Sequence, residues 1–277
     1  GVNGSSQFRW NGDGGFSAHG GPLTVDVNGG GADNLVWGST ANFIGGGQTL
    51  VFGSEYADNA VTFVDNIDVG AGTRTIQVVD NPASADDVAI LSGSLSGTGD
   101  LVKTGDGMLL LNGASPSFLG TISANTGMIG GTGAIGGSLT NSATLAPGAS
   151  IGAMGVSGDY TQSGSGLLAI ELDGYGQGTG YDWLDVGGTA ILDGVVDLDW
   201  IGSVDEQPMY GSTFDVLTAS SIIDNGVTYA GDVDWFSVGI VTTPDGEALR
   251  VMATIPEPTT FALLLAAGAS ALLRRRR

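Results

Sequence analysis

The chain has 277 residues, with 50 Gly, 8 Pro, no Cys and a formal net charge of −21. The glycines follow no three-residue period, which excludes collagen, and the 42% apolar content argues against general disorder. Without Cys there is no disulfide, thiolate nucleophile or Cys-type zinc site, and an acidic body of this kind repels nucleic-acid phosphates.

Residues 1–90 carry weak periodicity, with Trp10 and Trp37 set among glycines and the sole histidine, His19, reading as a loop residue. From Leu91 to Gly137, short β-prone runs are broken by Gly every few residues, which is punctuation for strands. Gly supplies positive φ at tight corners and lets stacked backbone approach closely. Gly131, Gly133 and Gly136 spell a dinucleotide fingerprint, whose chemistry requires a helix N-terminus immediately afterwards. Gly137-Ser138-Leu139-Thr140 and then Pro147 follow instead, so no such helix is expected. Gly148-Ala149-Ser150-Ile151-Gly152 spells a nucleophile elbow, but His19 precedes the serine and no α/β pattern surrounds it. The match is read as structural.

Further along, Leu168, Ile170 and Leu172 alternate on one strand face, as do Val196, Leu198 and Trp200, with Asp197 and Asp199 opposite. Two such acids lie about 6–7 Å apart, a separation known from glycosidase carboxylates and equally that of a solvated acidic face. Gly178-Thr179-Gly180-Tyr181-Asp182-Trp183-Leu184 fits most of a calcium nonapeptide, with Gln177 where the first Gly should stand, and such sites need consecutive copies. Trp10, Trp37, Trp183 and Tyr175 are candidates for sugar stacking where exposed, while alternation turns Trp200 inward. No body segment shows a sustained helical period. The expected fold is therefore all-β, with short strands and Gly corners favouring coils stacked into a β-solenoid over the alternative, a β-sandwich.

The tail differs in kind. After Ile255-Pro256-Glu257-Pro258-Thr259-Thr260, the uncharged run from Phe261 to Leu273 is mostly Leu and Ala and leads into Arg274, Arg275, Arg276 and Arg277. As a helix it would span about 20 Å, a marginal crossing of a hydrocarbon core of roughly 30 Å. The Arg cluster would anchor it on the cytoplasmic side and place the body across the inner membrane.

Two resemblances attach to these residues. The stretch from Gly97-Thr98-Gly99-Asp100-Leu101-Val102-Lys103 to Leu109-Leu110-Leu111-Asn112-Gly113 resembles the autotransporter-associated β-strand repeat. The match continues loosely to Gly130-Gly131-Thr132-Gly133, with Ser117-Phe118-Leu119-Gly120 in place of the usual Tyr-Ser-Gly. Phe8-Arg9-Trp10-Asn11-Gly12 resembles a first coil or cap of such passengers, and Gly211 to Ala219 their closing strands. The resemblance implies a right-handed parallel β-helix over residues 1–254, with residues 91–137 as its repeat. Residues 255–277 resemble a PEP-CTERM sorting signal, with Pro256, Glu257 and Pro258 as the processing element. That resemblance implies an inner-membrane exosortase as partner, a C-terminal apolar helix that anchors the chain before cleavage, and export to the cell surface or extracellular space. The chain begins at Gly1 without Met, so the signal peptide expected of such a protein has been trimmed or the sequence is incomplete.

The functional expectation is an exported structural or adhesive protein of the cell envelope or extracellular matrix, with exopolysaccharide as a candidate partner. It includes no nucleic acid, cofactor or metal and no catalytic residues. One alternative is a β-helical polysaccharide lyase or glycosidase using clustered Asp. Lyases usually need a Lys or Arg base, and the body offers only Arg9, Arg74, Lys103 and Arg250. The other alternative is a carbohydrate-binding module.

Overall fold

The computed structural model describes residues 9–29, 34–148, 150–202 and 210–254. The processing and anchor residues Pro256, Glu257, Pro258, Arg274, Arg275, Arg276 and Arg277, with the apolar run between them, lie outside the described residues.

The described chain is all-β, with long parallel sheets. Its first sheet has nine strands, which in chain order are Gly14–Phe16, Thr49–Phe52, Arg74–Val78, Leu101–Thr104, Thr121–Ala124, Ser138–Asn141, Tyr160–Gln162, Thr189–Leu192 and Ser221–Asp224. The second also has nine, namely Leu23–Val25, Val61–Phe63, Ala89–Leu91, Met108–Leu111, Met128–Gly131, Thr144–Pro147, Leu167–Leu172, Val195–Trp200 and Thr228–Gly231. Each strand of the first sheet is followed in the chain by one of the second. Spatial order within both sheets equals chain order, and every pairing in them is parallel. A three-stranded sheet (Asn34–Val36, Asn66–Asp68, Leu95–Ser96) and a six-stranded one receive the chain after the second. Between those two, Ser115 and Phe118 bridge Ile135 and Gly97, so the turn at residues 115–118 stands where a strand would continue the ladder. Turn lengths vary, since Thr121 lies beside Ser138 but Thr189 beside Ser221. The final turn changes sense. In the six-stranded sheet Thr213–Ala219 pairs antiparallel with Gly246–Ala253, which pairs antiparallel with Phe236–Thr243 at the edge.

Alternation decides what is inside. Leu101, Ile122, Leu139, Tyr160 and Ala190 follow one another through the register of the first sheet and are each fully buried. Leu168, Ile170 and Leu172 are buried as their pattern predicts, as are Val196, Leu198 and Trp200, while Asp197 and Asp199 face outward. The core also takes Trp10 and Trp37, each edge-on to Phe43. Val, Leu, Ile and Phe ladders of this kind stabilise by burial at about 25 cal/mol per Å² of apolar surface.

Glycine sits where turns stack closest. A Cβ on Gly99 would lie 2.2 Å from the Gly72 carbonyl oxygen, one on Gly120 2.0 Å from that of Gly99, and one on Gly137 1.9 Å from that of Gly120. The same corner thus recurs in successive turns, and only a residue without Cβ fits it.

Three polar side chains inside the stack, Lys103, Asn141 and Gln162, are consumed by the corners between the first and second sheets. Lys103, fully buried, donates from Nζ to the carbonyls of Gly105, Gly107 and Thr126. Burial pushes its amine down to about 8. Asn141 donates to the Leu167 carbonyl at 3.0 Å and accepts from Ala143 N at 3.0 Å. Gln162 donates to Asp193 O at 2.6 Å and Val195 O at 2.9 Å, and accepts from Tyr160 at 2.7 Å. Each fastens its own turn to the next, satisfying corner backbone that the sheets do not reach.

Candidate functional site

Among the described residues, two of the concavities on the outer surface gather the candidate side chains. The larger, of about 480 Å³, lies beside strands Trp183–Val186 and Thr213–Ala219 and the turn of the final hairpin. Trp183 is half-buried in it. Its indole N–H donates to Thr218 Oγ1 at 2.9 Å, and that hydroxyl donates to Asp185 Oδ1 at 2.9 Å, so the ring plane is fixed. Asp215 holds Arg250 through two bonds of 2.6 and 2.8 Å. Glu247 accepts the Ile222 N–H at 2.6 Å, and Gln177 donates to the Asp215 carbonyl at 3.0 Å. Asp245 and Thr243 complete the rim. The cleft therefore offers an aromatic face surrounded mainly by hydrogen-bond acceptors, a set that suits hydroxyl-bearing ligands.

The smaller, of about 210 Å³, is a slot on the outer face of the second sheet, floored by Met108, Leu110, Met128, Ala146 and Ala169 and closed by Ser150, Glu171 and Asp182. Ser150 donates to Glu171 Oε2 at 3.2 Å. Asp182 is buried and accepts the N–H groups of Gly152 and Glu171, each at 2.9 Å. Burial, opposed by those two bonds and reinforced by the Glu171 charge, pushes its carboxyl up to about 7. Register sets Glu171 directly beside Asp199 and Ala169 beside Asp197.

His19 accompanies the first turn, where Nδ1 meets the Tyr56 carbonyl at 2.9 Å and Asp58 at 3.1 Å. Ser150 follows the sixth strand of the second sheet, roughly 24 Å farther along at about 4.8 Å per strand. The structure does not bring the two together, and its partner for Ser150 is a carboxylate that accepts and does not relay to histidine. Gly131, Gly133 and Gly136 are corner residues packed on carbonyls of the preceding turn, and strand Ser138–Asn141 follows them. In the calcium-like segment, Asp182 turns inward to backbone amides and Tyr181 is buried. Among the described residues no group of three or more His, Asp or Glu is placed to hold a metal ion. None of their helices is long and apolar enough to cross a membrane.

Of the aromatic candidates, Trp10, Trp37 and Trp200 are core residues, while Trp183 is half-buried and Tyr175 is exposed, stacked on Phe214 at 6.0 Å. Sequence reasoning missed Asp185, Asp215, Asp245 and Glu247 as companions of Trp183, because three separate chain segments assemble them. The one available signal was Pro244-Asp245-Gly246, a hairpin turn string between two β-prone runs. Comparison with protein-family models finds no match, and a search of curated proteins finds none either.

Proposed function

We propose that the chain is an exported structural or adhesive protein of the cell envelope or extracellular matrix. Its body is a right-handed parallel β-helix over residues 1–254, and residues 255–277 act as a sorting signal whose apolar helix anchors it until an exosortase cuts near Pro256-Glu257-Pro258. The right hand is the one that parallel crossovers adopt almost without exception. The single observation that carries the reading is the order of the two nine-stranded sheets, in which every turn of chain lies beside the turns before and after it. Stacking of that kind makes a stiff support whose sides present regular rows of side chains. Its acids serve the stack: Asp100 accepts the Thr121 N–H and Asp159 the Thr189 N–H, each across adjacent turns. The polysaccharide contact falls at the Trp183 cleft, whose fixed indole and acceptor rim match the apolar faces and hydroxyls of a neutral glycan.

The test is mass spectrometry of the chain recovered from its host. A chain that ends near Pro256 outside the inner membrane is expected, with full-length protein retained there when Pro256, Glu257 and Pro258 are replaced by Ala. A wild-type chain that still ends at Arg277 in a host with the processing enzyme contradicts the sorting part. For the cleft, Trp183→Ala should weaken binding of a neutral oligosaccharide by about tenfold or more, read by calorimetric titration. Unchanged affinity would remove the glycan from this site.

A further inference from the structure

The Trp183 cleft carries more negative charge than contact with a neutral sugar requires. Four carboxylates line it, those of Asp185, Asp215, Asp245 and Glu247, and one of them, Asp215, has a cation, the Arg250 guanidinium at 2.6 Å. Among the described residues none of the other three meets a Lys, Arg or His side chain. Acids inside the stack are engaged through both oxygens, as Asp182 is by two N–H groups and Asp65 by those of Val27 and Asn28. The cleft acids are not. Glu247 accepts the Ile222 N–H and the Ser221 hydroxyl through Oε2 alone, and Asp185 takes one bond, from Thr218 to Oδ1. Asp245 is exposed, and among the described residues its carboxylate has no hydrogen bond.

Three chain segments hold these acids around the indole. Trp183 and Asp185 stand two positions apart on one strand and so share its outer face. Register sets Thr218 beside Asp185 and Glu247 beside Ala219, and the turn at Asp245 closes the far side. Every lining residue and its neighbours in the chain are among the described residues. A ligand lying on the indole displaces water from the carboxylates. A neutral sugar leaves their charge unopposed and an anionic one adds repulsion, whereas an ammonium group supplies the opposite charge together with N–H donors.

We infer that the Trp183 cleft prefers a glycan whose sugars carry free amines, with a pyranose face on the indole and the ammonium among Asp185, Asp245 and Glu247. The inference rests on the proposed glycan contact and adds to it the charge of the sugar.

The experiment is calorimetric titration of the full chain with a glucosamine tetrasaccharide and with its N-acetylated counterpart, at about pH 6, where the sugar amine is protonated. The amine form should bind about fivefold or more tightly, an advantage that shrinks as salt screens the carboxylates. The double variant Asp245→Asn, Glu247→Gln retains an acceptor oxygen for the Ile222 N–H and should bring the ratio of the two affinities close to one. Trp183→Ala should weaken both. If the N-acetylated form binds and the amine adds nothing, the glycan contact stands and the inference fails; if neither form binds, both fail. A ratio unchanged in the double variant, or glucosamine binding that ignores Trp183→Ala, would overturn the inference. So would a lysine tetrapeptide that binds as tightly as the glucosamine oligomer, because it would show general attraction of cations to an acidic chain.

Discussion

Asp182 is the side chain whose protonation bears most directly on the outer slot. Its carboxyl is raised to about 7 by burial, against an ordinary 3.8. A carboxyl that holds its proton more tightly in the folded than in the unfolded chain stabilises the fold fully below about pH 4 and loses that contribution as pH rises through about 7. Asp182→Asn abolishes the titration and replaces one acceptor facing Gly152 or Glu171 with a donor. The variant should therefore be less stable than wild type, with the gap widest near pH 4 and narrowing toward about pH 8 in thermal unfolding followed by circular dichroism. A gap independent of pH would show that Asp182 keeps an ordinary carboxyl. Glycine supplies a second residue-scale test. Gly120→Ala drives a Cβ to 2.0 Å from the Gly99 carbonyl oxygen and should cost about 2–4 kcal/mol, whereas Gly47→Ala, with open space around it, should change denaturant stability by less than about 0.5 kcal/mol. Corner glycines were legible in the sequence as punctuation between Leu91 and Gly137. Which carbonyl each one approaches was not, because that depends on the register of a turn some twenty residues earlier.

Among the elements, the strands with plain alternation were readable in advance: Leu168, Ile170 and Leu172 go inward because a half-buried strand has a period of two. Lys103 was not readable. It occupies an inward position and survives there because three corner carbonyls receive its ammonium. Lys103→Met keeps the apolar stem but leaves those carbonyls without a donor, and should destabilise by about 2–4 kcal/mol in chemical denaturation. A change below about 0.5 kcal/mol would mean that water or relaxation satisfies the corner instead. The closing hairpin was likewise hidden. Pro244-Asp245-Gly246 marks its turn locally, but the parallel character of everything before it outweighs one turn string. The Trp183 cleft depends on that hairpin, which explains why the aromatic was named from the sequence and its acidic neighbours were not.

At the scale of the whole molecule, the first sheet makes the proposed stacking of turns in chain order measurable. Thr75, Val102, Ser123, Thr140, Thr161, Ile191 and Ile223 follow one another strand by strand through its register. The all-β class was legible in the short Gly-bounded runs, but the parallel register was not, since pairings between turns of unequal length leave no fixed period to count. A chain without Cys allows two cysteines to be introduced cleanly. The most direct measurement is the electron–electron dipolar distance between spin labels at Thr75→Cys and Ile223→Cys, both outward-facing positions. Six strand steps of about 4.8 Å place their backbones about 29 Å apart, so a single narrow distribution centred near about 30 Å is predicted. A distribution centred below about 20 Å, as when the two strands lie in facing or adjacent positions of a β-sandwich, would contradict the stacked-turn architecture.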